Sequence, residues 1–387
     1  MSDNTEKLNA DELIATAQAM TGLNDFDAPD IRESLTTLVM SLNEEAALTP
    51  EAILAKRGSL LRALCNRLKL ANAVHYAPQF ENEIITRPVF VIGLQRSGTT
   101  KLHRVLAADD AVQKLPLWRL LEPVKQLAAG EEDNRLENAR SFVKGMQSAS
   151  PEAYAAHPMY ADQPDEEVFV MELAFLANIN ATAFRAPSYN DWLNKQDFES
   201  WYVWFRRLLK YIQYTDGKSG QQWILKAPHH LGFLPLLFKY FPDAIVVNCH
   251  RDPLVAVPSF AALAAAARRS TSNSVDNAEV GRYCLDYCKS RLDTYLKDRD
   301  QLGRENQFLD ISYREVKDDV IKVVQRVYQS ADIPFTSQTR AAIQRWETEF
   351  AQHKHGKHSY SASEYAMDED EMLAAFAEYR DRFAEYI

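Results

Sequence analysis

A short apolar run that leads directly into a glycine-containing loop constrains the fold of this chain more than any other feature. Residues 87–92, RPVFVI, lie before Gly93 and have the continuous apolar character of a strand buried on both faces of a parallel sheet. The loop GLQRSGTT, residues 93–100, follows at once, and a helical pattern begins at its end. A strand, a tight loop and a helix in this order predict the first half of a βαβ unit.

Three further segments repeat the pattern of a buried strand: WILK at 223–226, AIVVNC at 244–249 and FLDI at 308–311. Helical segments separate them, which favours parallel strands joined by right-handed crossovers. We therefore predict an α/β fold, a three-layer sandwich around a parallel central sheet of about four or five strands. Residues 1–85 are predicted to form a helical region that packs on a main domain at 86–387, with a helical insertion at 117–214.

The loop at 93–100 nearly matches G-x-x-x-x-G-K-[ST], whose backbone N–H groups bind nucleotide phosphates. Thr99 stands in place of the lysine, and Arg96 supplies a cation inside the loop. The loop amides and the helix N-terminus can still bind an anion. Because nucleoside triphosphatases use the lysine with Mg²⁺ to manage a γ-phosphate, its absence favours a less charged group such as sulfuryl.

A second anion site is predicted after the strand at 244–249. Arg251 follows this strand, and Ser259 lies eight residues further on, in the next helix. The carboxyl ends of parallel strands are where such sheets bind ligands, so this cation and hydroxyl can converge on one phosphate. A simpler alternative is that Arg251 pairs with Asp252 and that Ser259 is an ordinary helical serine. The presence of the first anion-binding loop favours the phosphate site over this alternative.

The string VFVIGLQRSGTT resembles the 5′-phosphosulfate loop of sulfotransferases that use 3′-phosphoadenosine 5′-phosphosulfate (PAPS), in particular the bacterial branch with R-S-G-T-T. The resemblance implies that the phosphosulfate is bound by Arg96, Ser97, Gly98, Thr99 and Thr100. It also implies that the cation assists departure of the bridging oxygen. The Arg251 and Ser259 pair resembles the 3′-phosphate motif of the same family.

WILKAPHHLGFLP resembles the family segment L-K-x-P-x-H and implies that Lys226 polarises the reacting group while His230 is the catalytic base. A histidine with a pKa near neutral can take the proton of an attacking hydroxyl. His229 is a rival, because adjacent histidines at a helix start point in different directions. Carboxylates act as the base in some relatives, so Glu166 and Glu167 are further candidates for that role. Of the two, we include Glu167 in the predicted catalytic set. Both could instead only stabilise a helix N-terminus.

Two C-terminal segments also resemble the family. Tyr313 stands where cytosolic members have a tyrosine that contacts adenine, and HKHGKHSY at 353–360 resembles a closing loop that reaches the 3′-phosphate. The resemblance implies contacts from Lys357 and His358, although a solvated basic loop is a simpler reading. The three histidines of this loop lack an accompanying carboxylate or cysteine at a suitable period, so we predict no metal site.

These segments cover residues 87–387 in the order of the family, with departures at Gln95 and Lys101, where many relatives have proline and an apolar residue. The resemblance implies a sulfotransferase (EC 2.8.2.-) that moves a sulfuryl group from PAPS to a hydroxyl or amine, without a metal, and releases adenosine 3′,5′-bisphosphate. The rivals are a kinase or nucleoside triphosphatase with a degenerate loop, in which Asp310 would hold a metal, and a nucleotide-binding protein without catalysis.

Composition narrows the partners. With 44 basic and 54 acidic residues and a net charge of -10, the chain lacks the basic footprint of a general nucleic-acid binder. Its four scattered cysteines predict no disulfide framework. The sequence shows neither a secretory signal nor a transmembrane run, so we predict a cytoplasmic protein.

Aromatic residues at 184–205 suggest an apolar or aromatic alcohol as a small-molecule acceptor, although helix packing explains them equally well. A homodimer is left open as the assembly.

Overall fold

The computed structural model describes residues 7–27, 30–125, 132–350 and 361–387. Its central sheet consists of strands β1 (Val89–Ile92), β2 (Ile224–Lys226), β3 (Ile245–His250) and β4 (Phe308–Ser312). The spatial order is β2-β1-β3-β4, and every neighbouring pair is parallel. The four predicted strands and their parallel arrangement are therefore confirmed, and their carboxyl ends lie at one edge of the sheet.

Three helices precede β1, and they are α1 (Ala10–Thr21), α2 (Arg32–Glu45) and α3 (Pro50–Tyr76). The side chain of Asn9 accepts a hydrogen bond from the Glu12 amide, and that of Thr49 from the Ala52 amide, as expected of helix N-caps. Apolar residues of these helices share one core with β1. The N-terminal region thus packs directly on the sheet domain.

The described part of the chain between β1 and β2 contains eight α-helices. Its helices are α4 (Thr99–Leu106), α5 (Leu117–Leu121), α6 (Arg135–Ala149), α7 (Pro151–Ala156), α8 (Val168–Met171), α9 (Ile179–Ala183), α10 (Pro187–Leu193) and α11 (Glu199–Asp216). Trp201, Tyr202 and Trp204 of α11 are at most 2% exposed. These three aromatic side chains therefore pack in the core. Helix packing, rather than acceptor binding, explains their presence in the sequence.

After β2 come α12 (Leu234–Tyr240), α13 (Pro253–Arg269), α14 (Asn277–Leu302), α15 (Tyr313–Asp318), α16 (Val320–Ser330), α17 (Ser337–Glu349), α18 (Glu369–Ala375) and α19 (Ala377–Arg382). Helices α15 and α16 meet at Asp319, whose side chain accepts from the Lys322 amide and so caps α16. None of the helices in the described ranges is long and apolar enough to cross a bilayer.

The two faces of the sheet are covered by different cores. Phe90 and Ile92 of β1 belong to a large core with the N-terminal and middle helices, whereas Val89 and Val91 belong to a smaller core with α4 and α16. Alternation of side chains along a strand produces this separation. The predicted three-layer sandwich is confirmed, and the loops after β1, β2 and β3 meet at the edge formed by the carboxyl ends of the strands.

Candidate active site

The loop between β1 and α4 depends on two glycines. Gly93 has φ 142°, and a Cβ there would lie 2.5 Å from the Cys249 carbonyl oxygen. Gly98 has φ 91°, and a Cβ there would lie 2.8 Å from Cδ2 of Tyr313. Both positions combine a left-handed backbone with no room for a side chain, so glycine is required for the loop to lie against β3 and Tyr313.

Replacing Gly98 with alanine should therefore lower the free energy of unfolding by about 1–3 kcal/mol, since the methyl group adds strain and a clash. Gly145→Ala in α6 is the matched control, because nothing lies within 4 Å of a Cβ at that position. Alanine should stabilise that helix by up to about 1 kcal/mol. Urea unfolding of both variants measures the difference, and equal effects would contradict this account.

The structure brings the two predicted anion sites into contact. Nη1 of Arg251 donates to the Arg96 carbonyl oxygen at 2.7 Å, and the Arg251 guanidinium lies 4.5 Å from the centre of the Tyr313 ring. Nε of Arg96 donates to Oγ of Ser259 at 3.2 Å, and its Nη1 donates to the Ala156 carbonyl oxygen. Residues from three separate strand ends thus converge on one place.

Lys226, at the end of β2, contacts both the loop and the acidic segment. Its Nζ lies 2.5 Å from Oε1 of Glu166 and 3.4 Å from Oγ1 of Thr100. Its backbone N–H donates to Oε1 of Glu167 at 2.5 Å. The two glutamates therefore face different ways: Glu166 lines a cavity beside the loop, while Glu167 is fully buried behind β2.

The environment of Glu167 predicts a stability that depends on pH. Burial raises the pKa of Glu167 from its ordinary 4.5 to about 8. Between these values the folded protein holds a proton that the unfolded chain has lost, so the free energy of unfolding falls as pH rises through this range. A glutamine at this position cannot titrate. From pH 5 to pH 9 the free energy of unfolding of Glu167→Gln should therefore fall by less than that of the parent protein, the difference being on the order of 3 kcal/mol.

Urea unfolding at several pH values measures this effect. Glu152→Gln is the control, because its exposed carboxylate pairs with Arg269 and should leave the slope against pH unchanged. A Glu167→Gln variant with the slope of the parent protein would show that Glu167 is charged in the folded state.

The adjacent histidines also differ. His230 is fully buried, its Nδ1 lies 2.8 Å from the Tyr202 hydroxyl, and burial lowers its pKa to about 3. His229 lines the cavity, and neither ring nitrogen has a hydrogen-bond partner within the described ranges. Burial, and then the charges of Arg291 and His230, hold the pKa of His229 well below its usual range. Neither His230 nor Glu167 is among the residues that line the cavity, so the structure offers no support for either as the base.

His157 and Asp165 also line the cavity, although neither was predicted as a site residue. Nε2 of His157 is 3.4 Å from Oδ1 of the buried Asp165, whose Oδ2 accepts from Nη2 of Arg104 at 3.2 Å. Burial alone would raise the pKa of Asp165, but the His157 hydrogen bond and the charges of His157 and Arg104 hold it well below its usual range. The only signal was a histidine and a carboxylate in one short acidic segment.

The cavity has a volume of about 490 Å³ and is lined by both polar and apolar residues. Its polar lining includes Arg96, Thr100, Arg251 and Tyr313. Its apolar lining includes Phe142, Met146, Met159, Ile179, Phe260 and Leu263. Such a cavity suits a ligand with a charged end that meets an apolar one.

Some predicted contacts cannot be placed. Lys357 and His358, with the rest of the loop at 353–360, lie outside the described residues. Within the described ranges, no group of three or more histidine, cysteine or acidic residues is arranged to hold a metal. Ser97 and Thr99 lie in the loop as predicted, but Oγ of the buried Ser97 donates to the Leu94 carbonyl oxygen.

Comparison with known proteins adds an independent line of evidence. The sequence model of the sulfotransferase family matches residues 88–337. Two mycobacterial proteins, the omega-hydroxy-beta-dihydromenaquinone-9 sulfotransferases Stf3 of Mycobacterium bovis and Mycobacterium tuberculosis, are 27% identical over 259 residues. The alignment spans 64% of this chain and 63% of the length of these curated relatives.

Two solved structures extend the likeness over nearly the whole chain. The sulfotransferase STF9 of Mycobacterium avium superimposes with a TM-score of 0.87 at 28% identity, over 99% of this chain and 98% of its own. STF1 of Mycobacterium tuberculosis H37Rv gives a TM-score of 0.79 at 28% identity, over 97% of this chain and 100% of its own. The N-terminal and C-terminal helices are therefore included in the shared fold.

Proposed function

Because this chain belongs to the sulfotransferase family, we propose that it transfers a sulfuryl group from PAPS to a hydroxyl group of an apolar acceptor. The observation that carries the proposal is the convergence of Arg96, Arg251 and Ser259 on the loop at 93–100. Two cations and a hydroxyl, placed beside loop amides, match a donor that carries two separate anionic groups.

In this proposal the phosphosulfate lies over the loop, against Arg96 and the hydroxyls of Thr99 and Thr100. Arg251 and Ser259 bind the 3′-phosphate. The ring of Tyr313 contacts both Gly98 and Arg251 and is therefore positioned to contact the nucleoside between the two anionic groups. Lys357 and His358 remain predicted contacts of the 3′-phosphate.

Glu166 is the proposed base. It lines the cavity, and its ion pair with Lys226 holds the carboxylate next to Thr100 of the loop, where the sulfuryl group would lie. His229 also lines the cavity, but protonating this buried ring beside Arg291 would be costly, as the direction of its pKa indicates. A carboxylate open to the cavity is the better proton acceptor.

The proposed reaction is a single in-line displacement. The acceptor oxygen attacks sulfur while its proton passes to Glu166, so that a new O–S bond forms. The bond between sulfur and the bridging oxygen breaks, and its electron pair stays on the 5′-phosphate of adenosine 3′,5′-bisphosphate. Once Glu166 is protonated, its ion pair with Lys226 weakens, and the ammonium group can assist Arg96 in stabilising the departing oxygen. Solvent later removes the proton from Glu166.

The apolar residues that line the cavity support an acceptor with a hydrocarbon body. Phe142, Met146, Met159 and Leu263 offer little hydrogen bonding there, so binding would come mainly from burial of apolar surface. The name of the Stf3 relatives describes a hydroxylated menaquinone as their substrate. We infer that this chain acts on a lipid or isoprenoid alcohol whose hydroxyl is at the end of the apolar chain.

The geometry does not favour a metal-dependent phosphotransferase. Such an enzyme would use Asp310 as a metal ligand, yet both oxygens of Asp310 accept hydrogen bonds from Arg299 at 2.9 Å, and Oδ1 lies 2.7 Å from Nε2 of His250. A carboxylate already neutralised by an arginine is poorly placed to bind a cation.

The test is incubation of the purified protein with ³⁵S-labelled PAPS and a panel of apolar alcohols that includes an omega-hydroxylated isoprenoid quinone, in the presence and absence of EDTA. We expect label in an apolar product at the same rate in both conditions. ATP hydrolysis that requires Mg²⁺, with no labelled product, would overturn the proposal. Adenosine 3′,5′-bisphosphate binding without turnover would favour a non-catalytic protein.

A further inference from the structure

The residues on either side of Arg251 are both held by one helix near the C-terminus. Nδ1 of His250 lies 2.7 Å from the Tyr379 hydroxyl, and Oδ1 of Asp252 lies 3.2 Å from Nε of Arg380. Tyr379 and Arg380 are consecutive residues of α19. The backbone that carries Arg251 is thus fixed from one side by two neighbouring contacts.

We propose that α19 positions the 3′-phosphate site, with Tyr379 and Arg380 as positioning residues for Arg251 and Ser259. The proposal rests on the function proposed above. It concerns a part of the chain more than a hundred residues away from Arg251 in sequence, and neither Tyr379 nor Arg380 lines the cavity.

The first contact fixes the end of β3. His250 is fully buried, and both of its ring nitrogens are engaged, Nδ1 with Tyr379 and Nε2 with Oδ1 of Asp310. Asp310 lies on the neighbouring strand β4 and is itself held by Arg299. Because His250, Tyr379, Asp310 and Arg299 each have a hydrogen-bond partner, these contacts favour one arrangement of the strand end.

The second contact fixes the start of α13. Oδ1 of Asp252 accepts from the Leu254 amide at 3.0 Å and caps this helix, which carries Ser259 two turns further on. Arg380 therefore holds the cap of the helix that supplies the hydroxyl, while Tyr379 holds the strand that supplies the cation. Both side chains of the proposed 3′-phosphate site depend on the same helix.

Positioning of this kind affects binding more than folding. The side chains of Arg380 and Asp252 are 30% and 28% exposed, and ion pairs with this exposure contribute little to stability. An arginine that binds a phosphate through two parallel hydrogen bonds is in contrast sensitive to small displacements of its backbone. We therefore expect a selective loss of affinity for the 3′-phosphate.

The experiment measures the Kd of adenosine 3′,5′-bisphosphate and of adenosine 5′-monophosphate by calorimetry on the full-length protein and its variants. Arg380→Gln and Tyr379→Phe should each raise the Kd of the bisphosphate about tenfold and change that of the monophosphate less than about twofold. Arg382→Gln is the matched control, since this arginine lies on the same helix but pairs with Asp300 at 2.7 Å. It should change neither Kd.

The outcomes separate this inference from the proposed function. A parent protein that does not prefer the bisphosphate over the monophosphate would contradict the proposed 3′-phosphate site itself. A parent protein with that preference, and an Arg380→Gln variant that retains it or weakens both ligands equally, would overturn the positioning role alone. Arg380→Lys should restore part of the preference, and thermal unfolding confirms that each variant is folded. Should Tyr379→Phe fail to fold, Arg380→Gln decides the result.

Discussion

Replacing Glu166 with glutamine is expected to lower kcat about 10²–10⁴-fold while leaving the Kd of adenosine 3′,5′-bisphosphate nearly unchanged. Glutamine keeps an oxygen that can accept from Nζ of Lys226, so the geometry around Thr100 should survive. What is lost is the ability to take a proton from the acceptor hydroxyl. Initial rates with ³⁵S-labelled PAPS and the best acceptor of the panel measure the effect.

The control for this substitution is Glu279→Gln, because Glu279 pairs with Arg185 and does not line the cavity. It should retain the rate of the parent protein. Near-normal turnover by Glu166→Gln, together with a large loss in His229→Asn, would move the base to the histidine. The two variants therefore decide between Glu166 and His229 as the base.

The sheet and the loop could be predicted from the sequence because their signals are local. A strand buried on both faces needs a continuous apolar run, and residues 87–92 provide one next to the glycine loop. Arg251 lies just before α13 and Ser259 lies two turns into that helix, so the local sequence alone determines their separation. Local patterns of this kind can be recognised in a sequence without knowledge of tertiary contacts.

Which of two neighbouring residues faces the cavity could not be predicted from the sequence, because contacts with distant parts of the chain determine it. His229 and His230 lie in one short 3-10 helix, Pro228–Gly232, so their side chains leave it in different directions. His230 faces inward because Tyr202 of α11 supplies a hydroxyl at 2.8 Å. Glu167 likewise faces inward because its carboxylate accepts from the amide of Lys226 at the end of β2.

The contacts of α19 with β3 are a stronger example of the same limit. His250 and Tyr379 are separated by 129 positions in the chain, and no motif connects the two segments. Nothing in the sequence of α19 showed that this helix reaches the end of β3. Polar side chains on a short helix are ordinarily solvated, and only the fold shows that Tyr379 is buried and that Arg380 pairs with Asp252.

Replacing Arg96 with alanine should lower kcat/KM about 10³-fold, since the loop would lose the cation proposed to stabilise the departing oxygen. Arg96→Lys should recover part of the rate, because it keeps the charge but not the planar guanidinium that reaches both Oγ of Ser259 and the Ala156 carbonyl oxygen. The same radiolabel assay, with KM and kcat determined separately, gives the result.

Removal of a cation elsewhere tests whether the effect of Arg96 is local. Lys289→Ala removes an exposed ammonium group that pairs with Asp293 on α14 and does not line the cavity. Long-range attraction of an anionic donor by net charge would make both alanine variants slower, and more so at low salt. A local role leaves Lys289→Ala at the rate of the parent protein and makes the loss in Arg96→Ala independent of salt. An Arg96→Ala variant within tenfold of the parent in kcat/KM would transfer the stabilising role to Lys226.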